Sequence, residues 1–137
     1  MDIKIYPKLP VYAVDIRNEV FVKEQGFREE FDSDDKTAIH LVGFVDDRSV
    51  ATSRIIKKDD GSYIIGRIAV RKAYRKKGYG AEIVSAAEKV IFELGGGVIH
   101  IHSQAQAAPF YERLGYTPTG ETDFEEGCPH CMMIKKI

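Results

Sequence analysis

The segment Ile68–Ala81 combines residue types that could bind a polyphosphate-like anion. It reads IAVRKAYRKKGYGA and runs from a predicted strand, through a basic loop, into a predicted helix. Gly78 and Gly80 would let the backbone approach a ligand closely, and the start of a helix adds unpaired N–H donors and partial positive charge. Five cations surround the turn: Arg71, Lys72, Arg75, Lys76 and Lys77. The pattern predicts an anion cradle; the alternatives are an exposed basic turn that caps a helix, or a nucleic-acid patch.

Two common phosphate-binding loops do not account for this segment. Ala81, Glu82 and Ile83 follow the Gly-Tyr-Gly run, so the third glycine of a dinucleotide fingerprint is missing. The Gly-x-x-x-x-Gly-Lys-Ser/Thr pattern of nucleoside-triphosphate enzymes is also absent from the chain.

The elements around the cradle follow from hydrophobic periodicity. Three consecutive predicted strands form a meander before it, and a helix with apolar residues every three or four positions follows it. The full predicted order is strand 2–6, helix 11–24, loop 25–37, strands 38–45, 50–57 and 63–70, a helix ending at Gly95–Gly97, strand 98–102, a short helix from about Ala107 to Gly115, and a strand near 132–137. This order predicts an α/β layer fold built on a mixed sheet.

Composition limits the class of protein. The 137 residues, of which 44% are hydrophobic and 30% charged, predict one globular domain spanning 1–137. A net charge of −1 disfavours a general nucleic-acid partner. We also expect no membrane span and no signal peptide, because no apolar run is long enough. Cys128 and Cys131 are too close in sequence to cross-link the core, which fits a reducing cytoplasm, so we expect a cytoplasmic location.

Two ordered motifs resemble those of the GNAT superfamily of N-acetyltransferases. The first is Arg75-x-x-Gly78-x-Gly80 after a strand that ends in Val70, and the second is the run Phe110–Tyr116, FYERLGY. The run Val20–Gln25, with the acids that follow it, is similar to the small bacterial YjcF/ElaA-like branch. The resemblance implies one α+β domain whose mixed, mostly antiparallel sheet is splayed for acetyl-CoA and flanked by helices.

The resemblance also implies an activity and a set of site residues. Acetyl-CoA would be the cosubstrate, and a small molecule or peptide would supply the amine that attacks its thioester. Tyr111 would protonate the leaving thiolate; its alternative role is a core aromatic residue. Cofactor contacts would come from the strand, the loop, the helix start and the next strand: Ile68, Ala69, Val70, Arg75, Lys76, Gly78, Tyr79, Gly80, Ala81 and Gln104. The resemblance also allows a homodimer.

The sequence departs from the family at the general base. Many relatives carry a glutamate on the strand that ends at Val70, whereas Tyr63–Val70 contains no acid. Glu24, His40 and His130 are the candidate bases and substrate-binding residues, with a water chain as the alternative. A CoA-binding sensor without catalysis is therefore the second functional hypothesis.

Three further features have simpler explanations. The acids between Glu29 and Asp35 fail the calcium-loop pattern and predict a solvated loop rather than an attractor for a cationic amine. His100 and His102 share one face of a strand, but no third ligand adjoins them, so we expect no metal. The CPHC run from Cys128 to Cys131 predicts structural or incidental cysteines, and a redox protein is the third hypothesis.

Overall fold

The computed structural model describes Met1–Ile137 as seven strands in one sheet with helices on both faces. Strand order is β1-β2-β3-β4-β5-β7-β6, and only the β4–β5 pair is parallel. The strands are β1 Asp2–Tyr6, β2 Ile39–Val45, β3 Arg48–Lys57, β4 Tyr63–Val70, β5 Val98–Gln104, β6 Thr117–Glu125 and β7 Cys128–Lys136. The helices are α1 Val11–Arg17, a π-helix Asn18–Glu24, α2 Tyr79–Glu93 and α3 Ala108–Arg113. The predicted α/β class with a mixed, mostly antiparallel sheet is confirmed. No helix combines the length and apolar character that a membrane crossing needs.

Strand β6 was absent from the sequence-based prediction. All nine of its residues are exposed, and Pro118 and Gly120 interrupt it. An edge strand that buries neither face has no reason to alternate apolar and polar residues, so periodicity could not reveal it. The helix predicted at 11–24 is also different, because its second half, Asn18–Glu24, is a π-helix.

Two apolar cores lie on opposite faces of the sheet. Leu41 and Val42 are neighbours on β2 and belong to different cores, as the two-residue period of a strand requires. Helix α1 contributes Ala13 and Ile16 to one core. Helix α2 contributes to the other core, in which Tyr111 and Tyr116 are also packed. The sheet is thus fixed from both sides.

The sheet opens between β4 and β5. These strands pair only at Tyr63–Ile99 and Ile64–His100 and then diverge. On the other side of β4, pairing with β3 shifts between Thr52 and Arg54. At this bulge Arg67 adopts a left-handed conformation, with φ of 49°. The divergence leaves a gap in the middle of the sheet, and this gap forms one wall of a cavity.

Candidate active site

A cavity of about 360 Å³ occupies the gap between β4 and β5. Its walls come from the π-helix, the following loop, β4, β5, α3 and the β6–β7 hairpin. The lining residues are Phe21, Gln25, Phe27, Glu29, Glu30, Asp32, Arg54, Ile64, Ile65, Gly66, Arg67, Ile68, Ile101, His102, Ser103, Gln104, Ala107, Tyr111, Glu125, Glu126 and His130. Its size and mixed lining are typical of a small-molecule site. Of the residues predicted from sequence, it brings together Ile68, Gln104, Tyr111 and His130.

Tyr111 lines this cavity, and its hydroxyl has no hydrogen-bond partner in the protein. Its side chain is 8% exposed, and burial raises the pKa of the phenol above its usual range. The hydroxyl forms no hydrogen bond with another side chain, and burial is the only cause of the shift. Tyr116 differs, because its hydroxyl donates to Glu88 Oε2 at 2.7 Å. Of these two tyrosines, Tyr111 is therefore the one whose hydroxyl is free to contact a bound molecule.

The predicted cradle lies at the start of α2. Gly78 caps this helix with φ of 84°, and no side-chain oxygen satisfies the first N–H groups. Lys76 also has a positive φ, 65°, so the loop turns twice before the helix begins. A Cβ atom on Gly80 would lie 3.3 Å from Cζ of Phe110. The glycine-containing loop and the Phe110–Tyr116 segment are therefore in contact. The first N–H groups of α2, beside this contact, have no side-chain partner.

The cations around the cradle divide into two groups. Arg71 donates to Ser49 and Glu19, and Arg75 donates to the Val70 carbonyl and Glu24. The lysines at positions 72, 76 and 77 form no ion pair. The arginines therefore fix the loop, and the lysines remain available to an anion.

Glu24 and His40 lie outside the cavity lining. Both carboxylate oxygens of Glu24 accept hydrogen bonds from Arg75, which holds the pKa of Glu24 below its usual value. His40 is 1% exposed, and its Nε2 lies 3.0 Å from the Asp35 carbonyl oxygen. Burial lowers the pKa of His40 and keeps the ring neutral. Both groups are already engaged in contacts within the protein.

The acidic loop is only partly solvated, which corrects the sequence-based interpretation. Glu30 and Asp35 are both 5% exposed. Arg17, itself 1% exposed, bonds Glu30 Oε2 at 2.9 Å and Asp35 Oδ1 at 2.8 Å. Arg54 and Arg67 reach the same cluster from β3 and β4. No local sequence pattern indicates this network, because its three arginines lie on separate elements.

A cluster of His102, Glu125 and His130 forms another part of the wall. The register pairs His130 with Gln104, so His130 lies beside His102 with ring centroids 4.6 Å apart. Glu125 Oε2 is 3.6 Å from Nδ1 of His102 and 3.6 Å from Nε2 of His130. Sequence reasoning paired His102 with His100; the strand order pairs it with His130 instead.

The cysteines cannot form a disulfide within the chain. Cys128 and Cys131 both belong to β7, as free thiols. Three residues along a strand separate Cα atoms by about 10 Å, whereas a disulfide needs less than about 7 Å. The redox hypothesis therefore loses its dithiol.

Comparisons with known proteins define the family. The model of the "Acetyltransferase (GNAT) domain" family matches residues 12–137. The uncharacterized N-acetyltransferase YjcF of Bacillus subtilis (strain 168) is 37% identical over 123 residues, which cover 88% of this chain and 87% of YjcF. Protein ElaA of Escherichia coli (strain K12) is 32% identical over 134 residues, 93% of this chain and 88% of ElaA. The chain therefore belongs to the GNAT acetyltransferase family and is an acyltransferase.

Comparison with solved structures supports the same family and fold. The crystal structure of Escherichia coli ElaA superposes with a TM-score of 0.85 at 29% identity and covers 98% of each chain. An aminoglycoside 6'-N-acetyltransferase complexed with coenzyme A has a TM-score of 0.76 at 17% identity and covers 99% of this chain and 97% of its own. The second likeness shows a shared fold.

Proposed function

We propose that this protein transfers the acetyl group of acetyl-CoA to an amine of a small molecule or peptide by direct attack. The observation that carries the proposal is Tyr111, which lines the cavity between β4 and β5 and whose hydroxyl has no hydrogen-bond partner. In this proposal the protein is cytoplasmic, and a homodimer stays a prediction from the resemblance. The fold shared with the aminoglycoside enzyme, a coenzyme A complex, supports the cosubstrate.

The cofactor would extend from the α2 cradle into the cavity. N–H groups of Gly78, Tyr79, Gly80 and Ala81 would bind the pyrophosphate, with Lys76 beside them. Backbone groups of 68–70 face the gap in the sheet and would pair with the pantetheine amides. In this arrangement Arg75 holds the loop by its bond to Val70, 2.9 Å long. Gln104 lines the cavity where its amide could meet the arm.

The chemistry needs three proton transfers. The amine nitrogen forms a bond to the thioester carbon, the tetrahedral intermediate collapses, and the carbon–sulfur bond breaks. Tyr111 gives its proton to the departing thiolate and recovers one from the new amide nitrogen. A substrate ammonium must first lose a proton, so the net reaction releases one proton to solvent. Positioning of the two substrates in one cavity supplies much of the rate.

His130 is the base in this proposal. It is 5% exposed, and its Nδ1 donates to the Cys128 carbonyl oxygen at 2.8 Å. Nε2 of the neutral ring then carries the lone pair. It lies 3.6 Å from Oε2 of Glu125, and both residues line the cavity. His130 could take the ammonium proton directly or through one water.

Acetyl-CoA turnover over a panel of primary amines tests the proposal, with thiol release and acetylated product both measured. We expect turnover with at least one amine, and a His130→Gln variant that loses about 10²–10⁴-fold in kcat. The defect should shrink as pH rises and the acceptor deprotonates without help. Tight acetyl-CoA binding with no product from any amine would favour the sensor hypothesis instead.

A further inference from the structure

We propose that His102, Glu125 and His130 form a binding site for a divalent transition-metal ion of the Zn²⁺ class. The three side chains come from β5, β6 and β7, and their ligand atoms lie within 4.8 Å of one another. Two imidazoles and one carboxylate are a ligand set that Zn²⁺ accepts, with a fourth position left open.

The hydrogen bonds of the cluster leave one ring nitrogen of His102, one ring nitrogen of His130 and the Glu125 carboxylate without a donor. His102 Nε2 lies 2.7 Å from Oδ1 of Asp123, so this nitrogen carries a proton and, in the neutral ring, Nδ1 carries the lone pair. His130 donates from Nδ1 to the Cys128 carbonyl oxygen, so Nε2 carries the lone pair. Both lone-pair nitrogens lie 3.6 Å from Glu125 Oε2, beyond hydrogen-bond distance. With both rings neutral, two nitrogen lone pairs converge on the Glu125 carboxylate, and a bound cation would satisfy all three groups.

Distances favour a metal ion over a substrate ammonium. Ligands at about 2.1 Å from a tetrahedral metal are about 3.4 Å apart, whereas acceptors at about 2.9 Å from an ammonium nitrogen are about 4.7 Å apart. The two separations to Glu125 are 3.6 Å. The imidazole planes meet at 28° and are stacked, so each ring must turn slightly to aim its lone pair at one ion.

The outer partners are those that metal-binding histidines use. Such residues donate their second ring N–H to a carboxylate or a backbone carbonyl, which fixes the tautomer and the ring orientation. Asp123 does this for His102, and the Cys128 carbonyl does it for His130. His130 is also 5% exposed, so packing limits its ring to small rotations.

Metal binding would control the proposed reaction. An ion held by Nε2 of His130 removes the lone pair that deprotonates the acceptor, so occupancy inhibits acetyl transfer. This consequence rests on the proposed function, whereas the site itself does not. Zinc would act here as an inhibitor that competes with the substrate amine.

Titration of the metal-free full-length protein with Co²⁺ tests the site without any activity measurement. We expect visible absorption bands that saturate at one ion per chain and disappear when Zn²⁺ displaces Co²⁺. Glu125→Gln should weaken binding at least about tenfold, and Asp123→Asn should weaken it by about 10–100-fold through the ring it orients. Glu121→Gln, at an exposed acid on the same strand, should bind like wild type.

Three results would overturn the site: no bands at stoichiometric Co²⁺, equal binding by Glu125→Gln, or loss of binding in a Cys128→Ser, Cys131→Ser double variant. Binding of methylammonium without binding of Co²⁺ would also reject it and indicate an ammonium site. Zn²⁺ that binds but leaves turnover unchanged would reject the inhibition. Turnover of the metal-free enzyme tests the proposed function separately, because either result can fail while the other holds.

Discussion

Glu24 and Arg75 form a two-pronged ion pair, with oxygen–nitrogen distances of 2.6 and 2.8 Å. The pair joins the end of the π-helix to the loop that precedes the α2 cradle. Arg75 also donates to the Val70 carbonyl at 2.9 Å, so one guanidinium ties the helix, the loop and the end of β4 together. Glu24 consequently stabilises the conformation of the loop before α2, through Arg75.

The pair predicts that Glu24→Gln is a mild variant. The amide oxygen still accepts a hydrogen bond from Arg75, so we expect a weaker acetyl-CoA affinity and a kcat within about tenfold of wild type. Loss of a general base would cost about 10²–10⁴-fold. Steady-state kinetics beside His130→Gln makes the comparison. If Glu24→Gln loses kcat as severely as His130→Gln, Glu24 takes part in proton transfer.

Tyr111→Phe separates the proton donor from the core aromatic. The change removes only the hydroxyl, which has no protein partner, so the melting temperature and the acetyl-CoA affinity should stay close to wild type. Turnover should fall by about 10²–10⁴-fold, because the phenol meets the thiolate in the transition state. Kinetics, calorimetry and thermal melting on one preparation decide the outcome.

Tyr116→Phe is the matched control for that variant. It breaks the 2.7 Å bond to Glu88, which also accepts from Lys135 at 3.0 Å. We expect a lower melting temperature, corresponding to about 1–2 kcal/mol, and a kcat within a few-fold of wild type. The reverse pattern, with Tyr116 controlling kcat and Tyr111 controlling stability, would exchange their roles.

Gly80→Asp should abolish acetyl-CoA binding in a folded protein. A carboxylate at the start of α2 would repel the pyrophosphate at a few ångström, at a cost of roughly 10²–10³-fold in affinity. Gly80→Ala isolates the steric part, because its Cβ meets Phe110 Cζ at 3.3 Å and that ring can shift. We expect only a few-fold loss for alanine. Isothermal calorimetry measures both variants, and wild-type affinity in folded Gly80→Asp would place the cofactor elsewhere.

Asp35 should make the protein sensitive to acid. Hydrogen bonds from Arg17 and Arg54 outweigh the effect of burial and lower its pKa from 3.8 to about 2. Because the folded pKa is the lower one, the stabilisation is complete above pH 4 and is lost as pH falls toward 2. The shift corresponds to about 2 kcal/mol of unfolding free energy. Urea unfolding at several pH values measures it.

Asp35→Asn should remove that dependence. At neutral pH it leaves Arg17 and Arg54 short of a buried counter-charge, so we expect a loss of about 3–5 kcal/mol. Asp34→Asn, at the exposed neighbouring acid, is the control and should retain both stability and the acid transition. An acid transition that persists unchanged in Asp35→Asn would assign it to another group.

Local sequence patterns were sufficient for most of the sheet and for the start of α2 at Gly78. Gly78 and Gly80 follow a strand and begin a helix, so the position of this turn can be predicted from neighbouring residues. The pairing of His102 with His130 is different, because it depends on β7 lying between β5 and β6. Register across strands distant in sequence leaves no local pattern. The burial of Glu30 and Asp35 could not be predicted for the same reason, because the arginines that neutralise them lie on α1, β3 and β4.

The divergence of β4 from β5 places an edge in the centre of the sheet. β4 is the fourth of seven strands, yet beyond Ile64 the peptide groups that point away from β3 have no strand partner. Amide hydrogens there should exchange with solvent as those of an outer strand do, although the strand is surrounded by protein. An extended ligand in the gap would act as an added strand. Mechanically, the two halves of the sheet would then be joined along their length by the molecule they bind.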